Sequence, residues 1–68
     1  MIIRLTAQDI NSGTSSSRTP QGHVVYVNSE HIIWFHKEGK ATVVHLSDGI
    51  SMTVKEDEKD ILLTLTKL

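Results

Sequence analysis

Alternating apolar and polar positions divide the chain into short β-type segments followed by one helical segment. Ile3, Leu5 and Ala7 alternate with residues of an opposite face, which is typical of a half-buried strand. Further segments rich in β-formers are bounded by turn residues such as Ser47-Asp48-Gly49. The predicted strands are residues 2–7, 23–27, 32–36, 42–46 and 50–54. We therefore expect a small curved antiparallel sheet of about five strands, either open or closed into a barrel.

The segment from about residue 9 to residue 22 interrupts this pattern. Residues 11–22 are mostly Ser, Thr, Gly and other polar residues, with no large apolar side chain. Such a composition predicts a flexible, solvated loop. The chain is therefore expected to form one small domain, residues 1–68, that carries one long loop.

The last segment changes to a helical period. Ile61, Leu62, Leu65 and Leu68 recur at the spacing of one helix face. Acidic residues precede this stripe, where the helix dipole favours negative charge, and this explains their clustering better than a metal or partner site does. These residues are Glu56, Asp57, Glu58 and Asp60. The predicted fold class is α+β and rich in β-structure, with a C-terminal helix packed on one sheet face.

Side-chain parity assigns registers to two hairpins. A two-residue Glu38-Gly39 loop would place Trp34 opposite Val43 and Phe35 opposite Thr42. A three-residue loop at 47–49 would place Val44 opposite Met52, with Gly49 in a left-handed conformation. The second loop is preferred because it keeps apolar residues on one face.

These registers produce two apolar faces. The face expected to form the core carries Ile3, Leu5, Val25, Val27, Ile33, Phe35, Val44, Leu46, Ile50, Met52 and Val54. The opposite face carries Val24, Tyr26, Ile32, Trp34, Val43, His36 and His45. Because the outer face of a monomeric sheet is usually polar, this second surface predicts a protein interface, with self-association or another protein as the partner. The alternative is that the long loop or barrel closure covers it.

Composition limits the stability and the setting of the domain. The chain has 68 residues, 0 Cys and a formal net charge of −1. A domain of this size buries a small core and has no disulfide to support it, which favours association. The lack of Cys fits a reducing cytoplasm, and no apolar run is long enough to predict a membrane span.

Candidate chemistry is sparse. The sequence has no phosphate-binding loop, nucleophile elbow or HExxH motif. His36 and His45 share a predicted face, but no third ligand completes a metal shell. We therefore expect no catalytic residue, cofactor, metal or small-molecule substrate, and a non-enzymatic interaction or regulatory protein.

Nucleic-acid binding by a transcriptional regulator of a bacterium or phage is the alternative. Trp34 and Tyr26 could stack on bases, and Lys37 and Lys40 could contact phosphates. The 7 basic residues do not exceed the 8 acidic ones, so protein contacts are favoured.

Four short motifs resemble the FlbD-type flagellar and swarming motility family of small bacterial proteins. They are Met1-Ile2-x-x-Leu5-Thr6, Val27-Asn28-x-x-x-Ile32, Thr42-Val43-Val44-x-Leu46-x-Asp48-Gly49 and Val54-Lys55-Glu56. The resemblance excludes residues 9–22, and Lys37-Glu38-Gly39-Lys40 stands where the family has Pro-Asp-Thr. It implies a related fold in a bacterium, a phage or a mobile element, and no catalytic residues. The hairpins are also loosely similar to the sheet of LytTR-type DNA-binding domains.

Overall fold

The computed structural model describes residues 1–67 as one antiparallel sheet and one helix. The strands are β1 (Ile2–Ser12), β2 (Ser15–Asn28), β3 (Ile32–Glu38), β4 (Ala41–Leu46) and β5 (Ser51–Val54). A 3-10 turn, Ser29–His31, joins β2 to β3, and the helix α1 spans Glu58–Thr66. The strand order is β2-β1-β5-β4-β3, and the sheet stays open. The predicted α+β class with five strands and a C-terminal helix is confirmed.

The segment predicted as a flexible loop instead extends β1 and β2 into a long hairpin. Asp9 pairs with Arg18 and Ser12 with Ser15 around the turn at residues 13–14. The prediction was wrong because it relied on the alternation of apolar side chains. These polar residues are ordered instead by backbone pairing between the strands of the hairpin. β1 also pairs with β5 here, with Ile10 opposite Met52. Backbone pairing therefore orders a segment whose side chains bury little, with two neighbouring strands for residues 9–11 and β1 alone for residues 15–18.

A large bulge separates the two halves of this hairpin. Ala7 pairs with His23 and Asp9 with Arg18, so Gln8 alone opposes residues 19–22. The Gln8 side chain donates a hydrogen bond to the Pro20 carbonyl at 3.0 Å. Relative to β5, where Ala7 pairs with Val54 and Asp9 with Thr53, Gln8 is an extra residue that reverses side-chain parity, so both Ala7 and Ile10 turn toward the core.

The β3–β4 hairpin turns one residue later than predicted. Glu38 pairs with Ala41, so the two-residue loop is Gly39-Lys40. Gly39 takes the positive φ of 63° at the first loop position, as in a type II′ turn. The predicted Glu38-Gly39 loop would be a type I′ turn with Glu38 at positive φ, which costs more. The shift preserves the faces but places Trp34 opposite His45 instead of Val43.

A second bulge exchanges the roles of two isoleucines. Ile32 pairs with Leu46 and Trp34 with His45, so Ile33 is the additional residue. Ile32 packs against the core, while Ile33 is 64% exposed. The predictions that Ile33 is a core residue and that Ile32 belongs to the outer face are therefore wrong. In contrast, Val44 pairs with Met52 as predicted, across a loop at residues 47–49.

The core lies between one sheet face and α1. Its buried apolar side chains are Ile3, Leu5, Ala7, Val27, Val44, Met52, Val54 and Ile61. Ile61 is 2% exposed and Leu65 packs beside the core, whereas Leu62 is exposed. Leu68, the last residue of the predicted stripe, lies outside the described residues. Within residues 1–67, no helix is long and apolar enough to cross a membrane.

The Glu56 side chain joins the start of the helical segment to β1. Its carboxylate accepts hydrogen bonds from the Thr6 backbone N–H at 2.9 Å and from the Thr6 hydroxyl at 3.0 Å. The fully buried Thr42 hydroxyl donates to the Glu56 carbonyl at 2.8 Å. Glu56, part of the acidic cluster at the predicted helix start, therefore links β1 and β4 directly.

Gly22 is the position in the large bulge where a side chain would not fit. Its φ is 80°, and a Cβ atom would lie 2.8 Å from Thr6 Cγ2 and 3.2 Å from Lys55 Cε. Gly13 in the hairpin turn has a similar φ of 72° but open space around it. Substitutions at the two glycines therefore distinguish the cost of a positive φ, which both positions share, from the cost of a steric clash, which arises only at Gly22.

We expect Gly22→Ala to lower the free energy of unfolding by about 2–3 kcal/mol, because the backbone cost and the steric conflict add. Gly13→Ala is the matched control and should cost about 1–2 kcal/mol, the backbone term alone. Urea denaturation followed by circular dichroism measures both. Equal losses in the two variants would contradict the tight contact at Gly22.

Candidate interaction surface

Three rings form a stacked cluster on the sheet face opposite the core. Trp34 and His45 are cross-strand partners on β3 and β4. Their ring centroids are 3.8 Å apart and their planes differ by 8°. The His36 ring, two residues along β3, lies 5.1 Å from Trp34 and 5.4 Å from His45, with planes within 22°. The one-residue shift of the hairpin creates this stack, since it brings His45 opposite Trp34.

The cluster leaves the Trp34 ring accessible. Trp34 is 52% exposed even though His45 stacks on it. Val43, the cross-strand partner of His36, lies half-buried beside it. We define the Trp34 surface as Trp34, His36, Val43 and His45. These four residues belong to the outer face predicted from the sequence, and the structure brings them together.

Two ring nitrogens in the cluster are buried without hydrogen-bond partners among residues 1–67. They are His36 Nδ1 and His45 Nε2. A neutral imidazole carries one N–H and one bare nitrogen, and a buried N–H without an acceptor is costly. Each ring therefore leaves one buried nitrogen unsatisfied if that nitrogen carries the N–H. His36 Nε2 lies 3.6 Å from Glu38 Oε2.

The other predicted outer-face residues lie elsewhere. Tyr26 is 70% exposed and Val24 is 41% exposed, but both lie on β2, at the opposite end of the strand order from β3. Arg4 and Thr6 are their cross-strand partners on β1. Ile32 packs against the core. The seven residues predicted as one surface are therefore divided among the Trp34 surface, a separate exposed patch on β2 and the core.

The remaining histidines and the candidate phosphate contacts are also separate from the stack. His23 is exposed on β2, and His31 Nδ1 is 2.9 Å from the Ser47 hydroxyl. Lys37 and Lys40 are exposed at the end of β3 and in the following turn. No group of three or more His, Cys, Asp or Glu side chains within residues 1–67 has a metal-binding arrangement.

Sequence reasoning missed Ile33 as a surface residue. It adjoins Trp34 and projects an apolar side chain at the free edge of the sheet, because the bulge turns it away from the core. A bulge that exchanges two adjacent isoleucines leaves no trace in the apolar pattern, so no sequence signal identifies it.

Comparison of the chain with protein-family models, with curated proteins and with solved structures gives no match.

The stack predicts a spectroscopic response, because the chain has 1 Trp residue. His45→Ala should shift Trp34 emission to longer wavelength, since water replaces the imidazole on one indole face. The loss of one stacked pair should also lower the free energy of unfolding by about 0.5–1.5 kcal/mol. His23→Ala, an exposed histidine on β2, is the control and should change neither quantity. Unchanged emission in His45→Ala would contradict the stack.

Proposed function

We propose that this chain is a non-enzymatic interaction module that binds protein, foremost a second copy of itself, through the Trp34 surface. A regulatory role in the cytoplasm of a bacterium, or in a phage or mobile element, is part of the proposal. The resemblance to the FlbD-type family supports that setting and motivates testing it in motility. The single observation that carries the proposal is the ordered, half-exposed tryptophan on the outer sheet face.

The energetics of interfaces support this assignment. Tryptophan is enriched among residues that dominate binding energy, and these residues lie in well-packed surroundings. Trp34 is already stacked on His45, so binding would order few additional rotamers. Its exposed part offers apolar area, and the two imidazole rings stacked beside it add polar groups to the surface. The cluster is therefore pre-organised for a partner.

The small size of the domain supports self-association in particular. The core is confined to one face of the sheet, while Ile33, Trp34 and Leu63 remain more than half exposed. Any partner that binds only the folded state adds to its stability by mass action. A second copy is a partner that is present wherever the chain is present.

Trp34→Ser should weaken self-association by about 30-fold or more, as for a residue that dominates an interface. Tyr26→Ser is the matched control, because it removes an exposed aromatic ring from β2 instead of β3. Sedimentation velocity over a concentration series gives Kd, and circular dichroism verifies the fold. Two results together would refute the proposal. The native chain would remain monomeric at micromolar concentration, and Trp34→Ser would bind other proteins as well as the native chain does.

The alternative function is single-stranded nucleic-acid binding. The exposed Trp34 ring favours it, since bases stack on such rings, and Lys37 and Lys40 lie at the same edge of the sheet. The formal net charge of −1 disfavours it, because phosphate binding gains from clustered cations.

Salt dependence separates these two functions. If the alternative holds, binding of a labelled oligonucleotide weakens steeply with salt, and Lys37→Ala with Lys40→Ala lowers the slope of log K against log salt by about 1–2. We expect no such binding from the favoured function. Fluorescence anisotropy measures it, with Lys59→Ala as a control for net charge. Salt-dependent binding that these lysines control would favour the alternative.

A further inference from the structure

The two edges of the open sheet differ in their ability to accept another strand. β2 forms one edge, and the bulge at residues 19–22 with Pro20 interrupts it. Proline lacks the N–H that a ladder requires, so this edge is interrupted at the bulge, although residues 23–28 of β2 pair regularly with β1. β3 forms the other edge, and its regular part, Trp34–Glu38, follows the Ile33 bulge. β3 is also the edge that carries Trp34, and within residues 1–67 the backbone of Trp34–Glu38 pairs with β4 alone.

Charge is distributed unevenly along the β3 edge. Glu30 precedes the start of β3, and Asp48 lies at the same end, since Ser47 N–H donates to the His31 carbonyl at 2.8 Å. Lys37 and Lys40 lie at the opposite end, where Glu38 is close to His36. The start of this edge is thus acidic, and its end is rich in lysine.

We propose that a second copy of this chain binds beside the Trp34 surface, where its β3 pairs antiparallel with β3 about a twofold axis. This inference rests on the proposed function and specifies its geometry. Antiparallel pairing places the acidic start of one β3 beside the lysine-rich end of the other, and does so twice by symmetry. A parallel arrangement would place like charges together. The two sheets then form one continuous sheet.

The pairing also joins the two aromatic clusters. When the axis passes near Phe35, the midpoint of β3, Trp34 lies opposite His36 of the partner subunit. Glu30 then lies near Lys40 of the partner subunit. The backbone bonds supply affinity and the side chains supply specificity, as in other cases of strand addition. Ile33 contributes apolar area at the edge of the contact.

Charge reversal tests the antiparallel arrangement without altering the core. Glu30→Lys places two lysines together at each end of the interface, and Lys40→Glu places acidic groups together. Each variant alone should raise Kd by about tenfold at low ionic strength, because both symmetric contacts become repulsive. An equimolar mixture of the two variants should form a heterodimer with Kd within about threefold of the native value. Lys59→Glu on α1 is the control for a change in net charge and should leave Kd unchanged.

Sedimentation velocity of the native chain, of each variant and of the mixture gives the result. Recovery of dimer only in the mixture supports antiparallel β3 pairing. If the mixture associates no better than either variant while Trp34→Ser still weakens self-association, the β3 pairing is wrong and the proposed function stands. If Trp34→Ser also has no effect on association or on protein binding, both are wrong.

Discussion

The structure depends on the way β1 is shared between two neighbours. Residues 2–6 of β1 pair with β2 alone, whereas Ala7 and the residues after the bulge at Gln8 have partners on β5 as well. Between the halves, the bulge at Gln8 lets the strand bend and keeps apolar side chains turned inward on both sides of it. Beyond the end of β5, the Lys55 N–H donates to the Thr6 carbonyl, and the Glu56 carboxylate accepts from the Thr6 N–H and hydroxyl. With these contacts, a short chain folds its sheet around a core without closing a barrel.

Much of the core could be predicted from the sequence, because the sheet face on which a strand residue lies depends only on whether its position along the strand is odd or even. Phe35, Val44 and Met52 keep their face even though the β3–β4 turn moves by one residue, since such a move shifts the pairing by two positions. The long hairpin could not be predicted, because its order comes mainly from backbone pairing of β1 with β2 and, as far as Asn11, with β5, and not from alternating apolar side chains. The β4–β5 loop was predicted because the position of Gly49 and the apolar residues on both flanking strands are compatible with the same register, in which Val44 pairs with Met52.

The candidate surface was predicted in part for the same reason. The outer-face assignment of Trp34, Val43 and the two histidines depends on parity alone. Their stacking depends on the turn type, which decides whether Trp34 faces His45 or Val43. The separation of Tyr26 from Trp34 depends on the strand order, which is a non-local property. A bulge, a turn type and a strand order thus divide the predicted apolar face into the Trp34 surface, the exposed patch on β2 and a core residue, Ile32.

The Ser-rich hairpin has a consequence for proteolysis. Proteases bind substrates as extended strands whose backbone hydrogen-bonding groups are free, and such segments are usually exposed loops. Arg18 would be the natural cleavage point for a trypsin-like enzyme within this polar stretch. However, its backbone pairs with Asp9 on β1, and its guanidinium lies 3.9 Å from the Asp9 carboxylate. A segment with the composition of a cleavable linker is therefore paired within the β1–β2 hairpin, and a protease can bind it as a substrate only after this hairpin opens.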